Sequence, residues 1–392
     1  VMDHVAGDGD FALYVHWPFC RSKCPYCDFN STATSGVDDA LWEKAYLSDL
    51  ERQAARLSDR SRVLSSIYFG GGTPSLMAPS TVRGIVDRAR ALWDTSPDVE
   101  ITLELNPSGI TERDLAAFRE AGINRLSVGI QSLDDGALKV LGRRHNAREG
   151  VEVYRTARTL FDRVSLDLIY ARPHQTLAAW EEELEAVLDL EPTHISAYQL
   201  SLEPGTPLFS ALVSEDGGMP EEDLATDLFL ATKEGLESVG LTSYEVSSHA
   251  RPGFECRHNL ATWRGGNYLG LGPGAHGRLP VQDGTLATVS LCDSSTWLRR
   301  VTAGEDTFEV ATLLDRRERA LEMVLTGLRL REGVSESRVK ARTGFEFADL
   351  LDTDALTMAV ELGLVRLGAD ALRATRDGEL VLNAVTTSLM AL

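Results

Sequence analysis

The stretch Tyr14-Val15-His16-Trp17-Pro18-Phe19-Cys20-Arg21-Ser22-Lys23-Cys24-Pro25-Tyr26-Cys27 decides how this chain is read. The apolar run Phe11–Trp17 reads as a strand, and beyond its C-terminal end stand three cysteines spaced C-x3-C-x2-C. Three thiolates on one tight loop can each hold one iron of a [4Fe–4S] cubane. Such a cluster normally takes four cysteines, so one iron is left open to a small molecule. A structural zinc site is the alternative. It needs four closed ligands, and the nearest further donor is His16, four residues before the triad.

Downstream, short apolar runs alternate with amphipathic stretches. Ser66–Phe69, Glu100–Leu105, Arg125–Ile130, Val164–Tyr170 and His194–Leu200 read as strands. Leu41–Leu57, Ser80–Leu92, Glu112–Ala121, Arg148–Phe161 and Leu177–Leu188 read as helices. Strand then helix, repeated about six times, predicts a parallel α/β sheet with helices packed on it. That is short of a closed eight-stranded barrel, so an open, incomplete barrel and a flat doubly wound sheet both satisfy the spacing. In either, ligands bind at the C-terminal strand ends. There the unusual residues collect: Cys20–Cys27, Gly70-Gly71-Gly72-Thr73-Pro74, Glu104-Leu105-Asn106-Pro107, Gln131 and Asp167.

Past Glu203-Pro204-Gly205-Thr206-Pro207 the rhythm breaks. A helix over Pro220–Val239 precedes a short strand at Ser243–Ser247. Then come Arg257-His258-Asn259-Leu260-Ala261-Thr262-Trp263 and Gly272-Pro273-Gly274-Ala275-His276. From Asp315 the pattern is charged and helical. It ends in strand-like Ala371–Thr375 and Glu379–Leu382 around Asp377-Gly378, which suggests a small winged-helix-like α+β unit. The expected divisions are 1–210, 211–310 and 311–392.

Across 392 residues, 39 Lys and Arg face 59 Asp and Glu, a net charge of −20. That acidity argues against general binding of nucleic acid or anionic membrane. Five cysteines, an odd number with three bunched together, suit a metal site in a reducing compartment better than disulfides. Cys256 and Cys292 lack spacing partners and read as structural thiols. Val1–Asp10 carries no apolar run of signal type, and no stretch approaches the ~20 apolar residues of a membrane helix. A cytoplasmic protein without a membrane span is expected, with peripheral membrane contact left open.

The cysteine spacing resembles the radical S-adenosylmethionine (SAM) superfamily. Tyr14–Cys20, Phe69–Pro74, the Gln131 strand, Asp167-Leu168-Ile169-Tyr170, Tyr198-Gln199-Leu200, Glu203–Thr206 and Gly272–His276 resemble its HemN/HemW branch. The likeness runs from residue 11 to the end. It implies an incomplete parallel (β/α)6 TIM-like barrel followed by a C-terminal α+β, winged-helix-like domain. It also implies that Cys20, Cys24 and Cys27 hold a [4Fe–4S] cluster whose open iron chelates SAM, with Tyr14 and Tyr26 flanking it. Gly71, Gly72 and Thr73 would meet the methionyl ammonium, and Glu104, Gln131, Arg143 and Asp167 would contact SAM.

Within that branch, oxygen-independent coproporphyrinogen III oxidases carry C-x3-C-x2-C-x-C, whereas here Phe29 stands two residues after Cys27. The phenylalanine is similar to the HemW group, described as haem chaperones that bind haem and hand it to acceptor proteins. Their H-N-x-x-Y-W motif corresponds to His258–Trp263, with Thr262 in place of the tyrosine. The resemblance thus implies haem as cargo, haem-acceptor partners, His258 as candidate haem ligand and His276 as a second. Read from the residues alone, His258 is equally a packed core histidine. The competing expectation is an enzyme of the branch, a coproporphyrinogen oxidase, methyltransferase or cyclopropanase. It would use an electron donor to cleave SAM to a 5′-deoxyadenosyl radical.

Overall fold

The computed structural model describes residues 10–57, 62–214, 217–282 and 284–390. Strands β1 (Asp10–Trp17), β2 (Val63–Gly71), β3 (Asp94–Leu105), β4 (Arg125–Gln131), β5 (Arg163–Tyr170) and β6 (His194–Gln199) lie side by side in sequence order, each parallel to the next. A doubly wound sheet reverses its order at a switch point. This one does not, so every crossover returns on the same side and the sheet winds as a barrel does.

The crossover helices are α1 (Asp39–Ala54), α2 (Pro79–Leu92), α3 (Glu112–Glu120), α4 (Ala147–Leu160) and α5 (Leu177–Leu188). Asp38, Thr111, Asn146 and Thr176 each cap one of them, a side-chain oxygen accepting an otherwise orphaned backbone N–H, and α2 begins on a proline. Ile67, Phe69, Leu103, Leu126, Val128, Leu166 and Leu168 share one core with Trp42, Val82, Tyr154 and Trp180 of these helices. Ser66, Thr102, Ser127, Ser165 and Ser196 occupy the alternating positions and are also buried. The barrel interior is therefore polar.

Strands β7 (Thr242–Ser243), β8 (Ser248–Ala250), β9 (Asn267–Leu271), β10 (His276–Val281), β11 (Gly284–Ser290) and β12 (Phe308–Leu314) extend the same sheet. The order is β12-β11-β10-β9-β1-β2-β3-β4-β5-β6-β8-β7, open at both ends among the described residues. Strand β9 pairs in parallel with β1, Tyr14 opposite Gly270. The segment after residue 210 thus supplies a seventh parallel strand. The strand expected at Ser243–Ser247 is instead two pieces, β7 and β8, on either side of a turn.

The C-terminal part packs helices Arg316–Gly327, Glu336–Thr343 and Thr353–Glu361 around a three-stranded sheet of Val334–Ser335, Ala371–Ala374 and Val365–Leu367. The last two strands form the wing. The strand expected at Glu379–Leu382 is helical. The Thr375 hydroxyl accepts the Gly378 N–H, so Asp377-Gly378 sits in the first turn of helix Arg376–Leu380. The hairpin turn lies one strand earlier, after Leu367. Among the described residues, no helix is long and apolar enough to cross a membrane.

Candidate functional site

The cysteine loop is closed by its own backbone. Phe19–Cys20 pairs with Thr32–Ala33, and Cys27 N–H donates to Cys24 O at 3.1 Å, which makes a tight turn between the last two thiols. Asn30 anchors the loop from below, its amide donating to Pro273 O at 3.1 Å and Cys292 O at 3.0 Å. That seat explains the Gly272-Pro273-Gly274 motif. Both glycines have positive φ, and a Cβ at Gly274 would lie 2.3 Å from the Asn30 amide, one at Gly272 2.4 Å from His16 O. His16 is buried beneath the loop, its Nε2 2.8 Å from Asn30 O. It braces the backbone there.

Above the barrel mouth lies a cavity of about 410 Å³. Cys20, Cys24, Cys27, Tyr26, Gly71, Gly72, Thr73, Glu104, Gln131, Arg143 and Asp167 all line it. The glycine turn must be glycine where it meets the cysteine loop. A Cβ on Gly72 would stand 2.8 Å from Phe19 O and 3.1 Å from Cys20 Sγ. The Thr73 hydroxyl donates to Cys20 Sγ at 3.4 Å, and an Arg143 N–H reaches Cys24 Sγ at 3.7 Å.

Glu104 faces the same space. Burial pushes its carboxyl up to about 7, against the hydrogen bond from Tyr68 (3.0 Å), and nearby Asp167 raises it further. Asp167 accepts from Ser127 at 2.6 Å and Ser165 at 2.8 Å. Gln131 sits at φ 72°, a left-handed conformation costly for a residue with a side chain. Its Oε1, like Arg143 Nε, is buried without a hydrogen-bond partner among the described residues. Strain and an orphaned acceptor at a strand's C-terminal end mark a place prepared for a ligand.

Tyr14 and His258 do not line this cavity. Tyr14 is enclosed below it, its hydroxyl 3.2 Å from His16 Nδ1 and its ring stacked on Tyr68. His258 is buried inside the barrel, on the face of β2 that carries Ser66 and Tyr68, with Nδ1 3.0 Å from Ser66 Oγ and its ring centroid 4.9 Å from that of Tyr68. Burial and Arg125 push its pKa down to about 3, so the ring is neutral. The expected second haem ligand, His276, is exposed on β10.

Tyr68, Ser127 and Ser165 were not singled out in the sequence, yet they hold Glu104 and Asp167 in place. The signal for the two serines is a small polar residue at an alternating position in strands that parallel sheets usually fill with apolar side chains.

The donor set suits a cubane. All three thiols are free and open onto one cavity. Among the described residues, no three His, Cys, Asp or Glu side chains converge as a single metal ion requires. A cubane makes a different demand, one thiolate on each of three irons. The orphaned Gln131 and Arg143 atoms and the Glu104 carboxylate then supply an acceptor, a donor and a negative charge for a zwitterionic, cationic ligand such as SAM.

Comparison with known proteins agrees. A model of the radical SAM superfamily matches residues 14–187, and one of the HemN C-terminal domain matches residues 314–381. Radical S-adenosyl methionine domain-containing protein 1, mitochondrial, of Bos taurus is 36% identical over 97% of this chain and 87% of its own length. Heme chaperone HemW of Escherichia coli (strain K12) is 34% identical over 97% of this chain and 98% of its own. The solved structure of coproporphyrinogen III oxidase (HemN) from Escherichia coli shares the fold, with a TM-score of 0.81 over 97% of this chain and 90% of that one at 22% identity. With fold, motifs and near-full-length relatives in agreement, this chain belongs to the radical SAM superfamily, in its HemN/HemW branch.

Proposed function

We propose that this protein is a haem carrier that binds haem and delivers it to acceptor proteins, holding a [4Fe–4S] cluster on Cys20, Cys24 and Cys27 and SAM in the adjoining cavity. The observation that carries the reading is the likeness, over nearly the whole chain, to proteins named heme chaperone HemW. Phe29 supports it. It lines the cavity and is 57% exposed, at the position where the oxidase pattern has a fourth cysteine. We place the protein in the cytoplasm, where free thiols survive to receive a cluster.

A cluster held by Cys20, Cys24 and Cys27 would, when reduced, supply an electron to the bound SAM. The chain's own residues bind and orient. Glu104 offers its carboxylate to a cationic group, Asp167 is fixed by two serine hydroxyls, and Gly72 allows backbone contact beside Cys20. Haem ligation by His258 requires its ring to leave Ser66 and its contact with the Tyr68 ring, so cargo binding would rearrange the packing inside the barrel.

The test is haem titration of the anaerobically reconstituted protein and of His258→Ala. A saturable Soret change, weakened in the variant, is expected. No saturable change in either overturns the reading. The enzyme reading is favoured by the full set of cavity residues, Glu104, Gln131, Arg143 and Asp167. Release of 5′-deoxyadenosine that depends on added coproporphyrinogen III would establish it.

A further inference from the structure

A second cavity, of about 540 Å³, lies far from the cysteines in sequence, where the wing meets helix Glu222–Ser238 and β7. Its walls carry five cationic side chains and two carboxylates, in a chain of net charge −20. Three cations have partners. Lys233, nine-tenths buried, pairs with Glu379; Arg331 pairs with Glu237 at 3.0 Å; Arg376 pairs with Glu234.

The other two differ. Arg366 and Arg373 stand directly opposite one another on the antiparallel wing strands, so both side chains leave the same face of the hairpin. Neither makes an ion pair among the described residues. The Arg373 Nε–H donates to the backbone of Glu332, which orients its guanidinium without neutralising it. Like charges directly across a strand pair are destabilising, and with the other three cations paired, these two guanidiniums give the cavity a net positive potential. Beside them Leu367, Ala371 and Ala374 give the cavity an apolar wall. The space is of the size that small organic ligands occupy.

We propose that this cavity binds an organic dianion, its phosphate or paired carboxylates held between Arg366 and Arg373 and its carbon body against the apolar wall. Two negative charges balance the two unpaired guanidiniums, and each planar fork can grip two oxygens at once. The site is separate from the cluster cavity and does not depend on the haem-carrier reading.

The test is calorimetric titration of the full chain, at low ionic strength in a buffer free of phosphate and carboxylate, with inorganic phosphate and with glutarate. Saturable binding of at least one probe is expected. Arg366→Ala and Arg373→Ala should each weaken it by roughly tenfold or more, while Arg148→Ala, an exposed arginine elsewhere, leaves it unchanged. The tighter probe identifies the head group as phosphate or carboxylate. Without a probe, Arg366→Ala should melt no lower than the parent, since it removes a repulsion, and the probe should raise only the parent's melting temperature. Absence of saturable binding by both probes overturns the proposal. So does binding that survives in both wing variants, or that falls equally in Arg148→Ala.

Discussion

The Thr73 hydroxyl donates to the Cys20 thiol at 3.4 Å, joining the turn after β2 to the loop after β1. The glycine turn therefore positions the first of the three thiols proposed to hold the cluster, as well as shaping the cavity. A hydrogen bond to a cluster sulfur raises the reduction potential, because it stabilises the more negative, reduced form. Thr73→Val should keep a full complement of iron and shift the potential to more negative values, as followed by a redox titration read by EPR. An unchanged potential would show the contact to be structural only.

Gly72→Ala should be far more damaging than its size suggests. The added Cβ meets Phe19 O at 2.8 Å and Cys20 Sγ at 3.1 Å, and the backbone oxygen cannot yield without moving the cysteine loop. Iron incorporation on reconstitution is expected to fall severalfold, with the far-UV circular dichroism of the barrel unchanged.

Glu104 predicts a pH dependence. Its carboxyl is raised from 4.5 to about 7, chiefly by burial. The folded chain thus holds this proton where the unfolded chain has released it. Stability falls as pH rises through that interval, and Glu104→Gln should flatten this part of the curve. A cationic ligand favours the ionised form. SAM affinity should therefore rise about tenfold between pH 6 and pH 8, and lose that rise in Glu104→Gln, as measured by equilibrium dialysis.

Gln131 sets stability against binding. Gln131→Gly relieves the left-handed backbone at φ 72° and should stabilise the chain by about 1 kcal/mol, visible as a small rise in melting temperature. It also deletes the orphaned amide oxygen in the cavity, so SAM binding should weaken. A variant that gains stability and keeps its affinity would show that the strain serves no ligand.

Arg172 and Glu183 form a buried ion pair that also takes in Ser132. Arg172→Met leaves the carboxylate without its charge partner and should cost about 3–5 kcal/mol in denaturant unfolding. Arg172→Met combined with Glu183→Leu should recover much of that loss.

The barrel strands and their helices were legible because periodicity is local. The helices read at Glu112–Ala121, Arg148–Phe161 and Leu177–Leu188 match α3, α4 and α5 closely, and the apolar runs mark β1 to β6, although β3 begins at Asp94, well ahead of its run at Glu100. The cavity residues were legible as motifs at strand ends. Misreadings arose where local cues compete. Asp377-Gly378 suits a hairpin turn, but the Thr375 hydroxyl captures the Gly378 N–H and starts a helix. Asn267–Leu271 carries no mark of a barrel strand, and its place beside β1 depends on partners more than 250 residues away in sequence.

By itself the sequence determined the class of chemistry, since three cysteines at C-x3-C-x2-C leave few alternatives and the spacing is a covalent property of the chain. It also determined which residues could gather at the strand ends, because strand direction follows from the repeat. Tertiary structure alone decided which of them meet. Burial sets Glu104 near neutrality, the end of β4 strains Gln131, and Asn30 rests on the Gly272–Gly274 backbone. It also placed His258 against Ser66 inside the barrel and set Arg366 against Arg373. Desolvation, strain and charge opposition arise only between groups that folding brings together, so no reading of neighbours along the chain contains them.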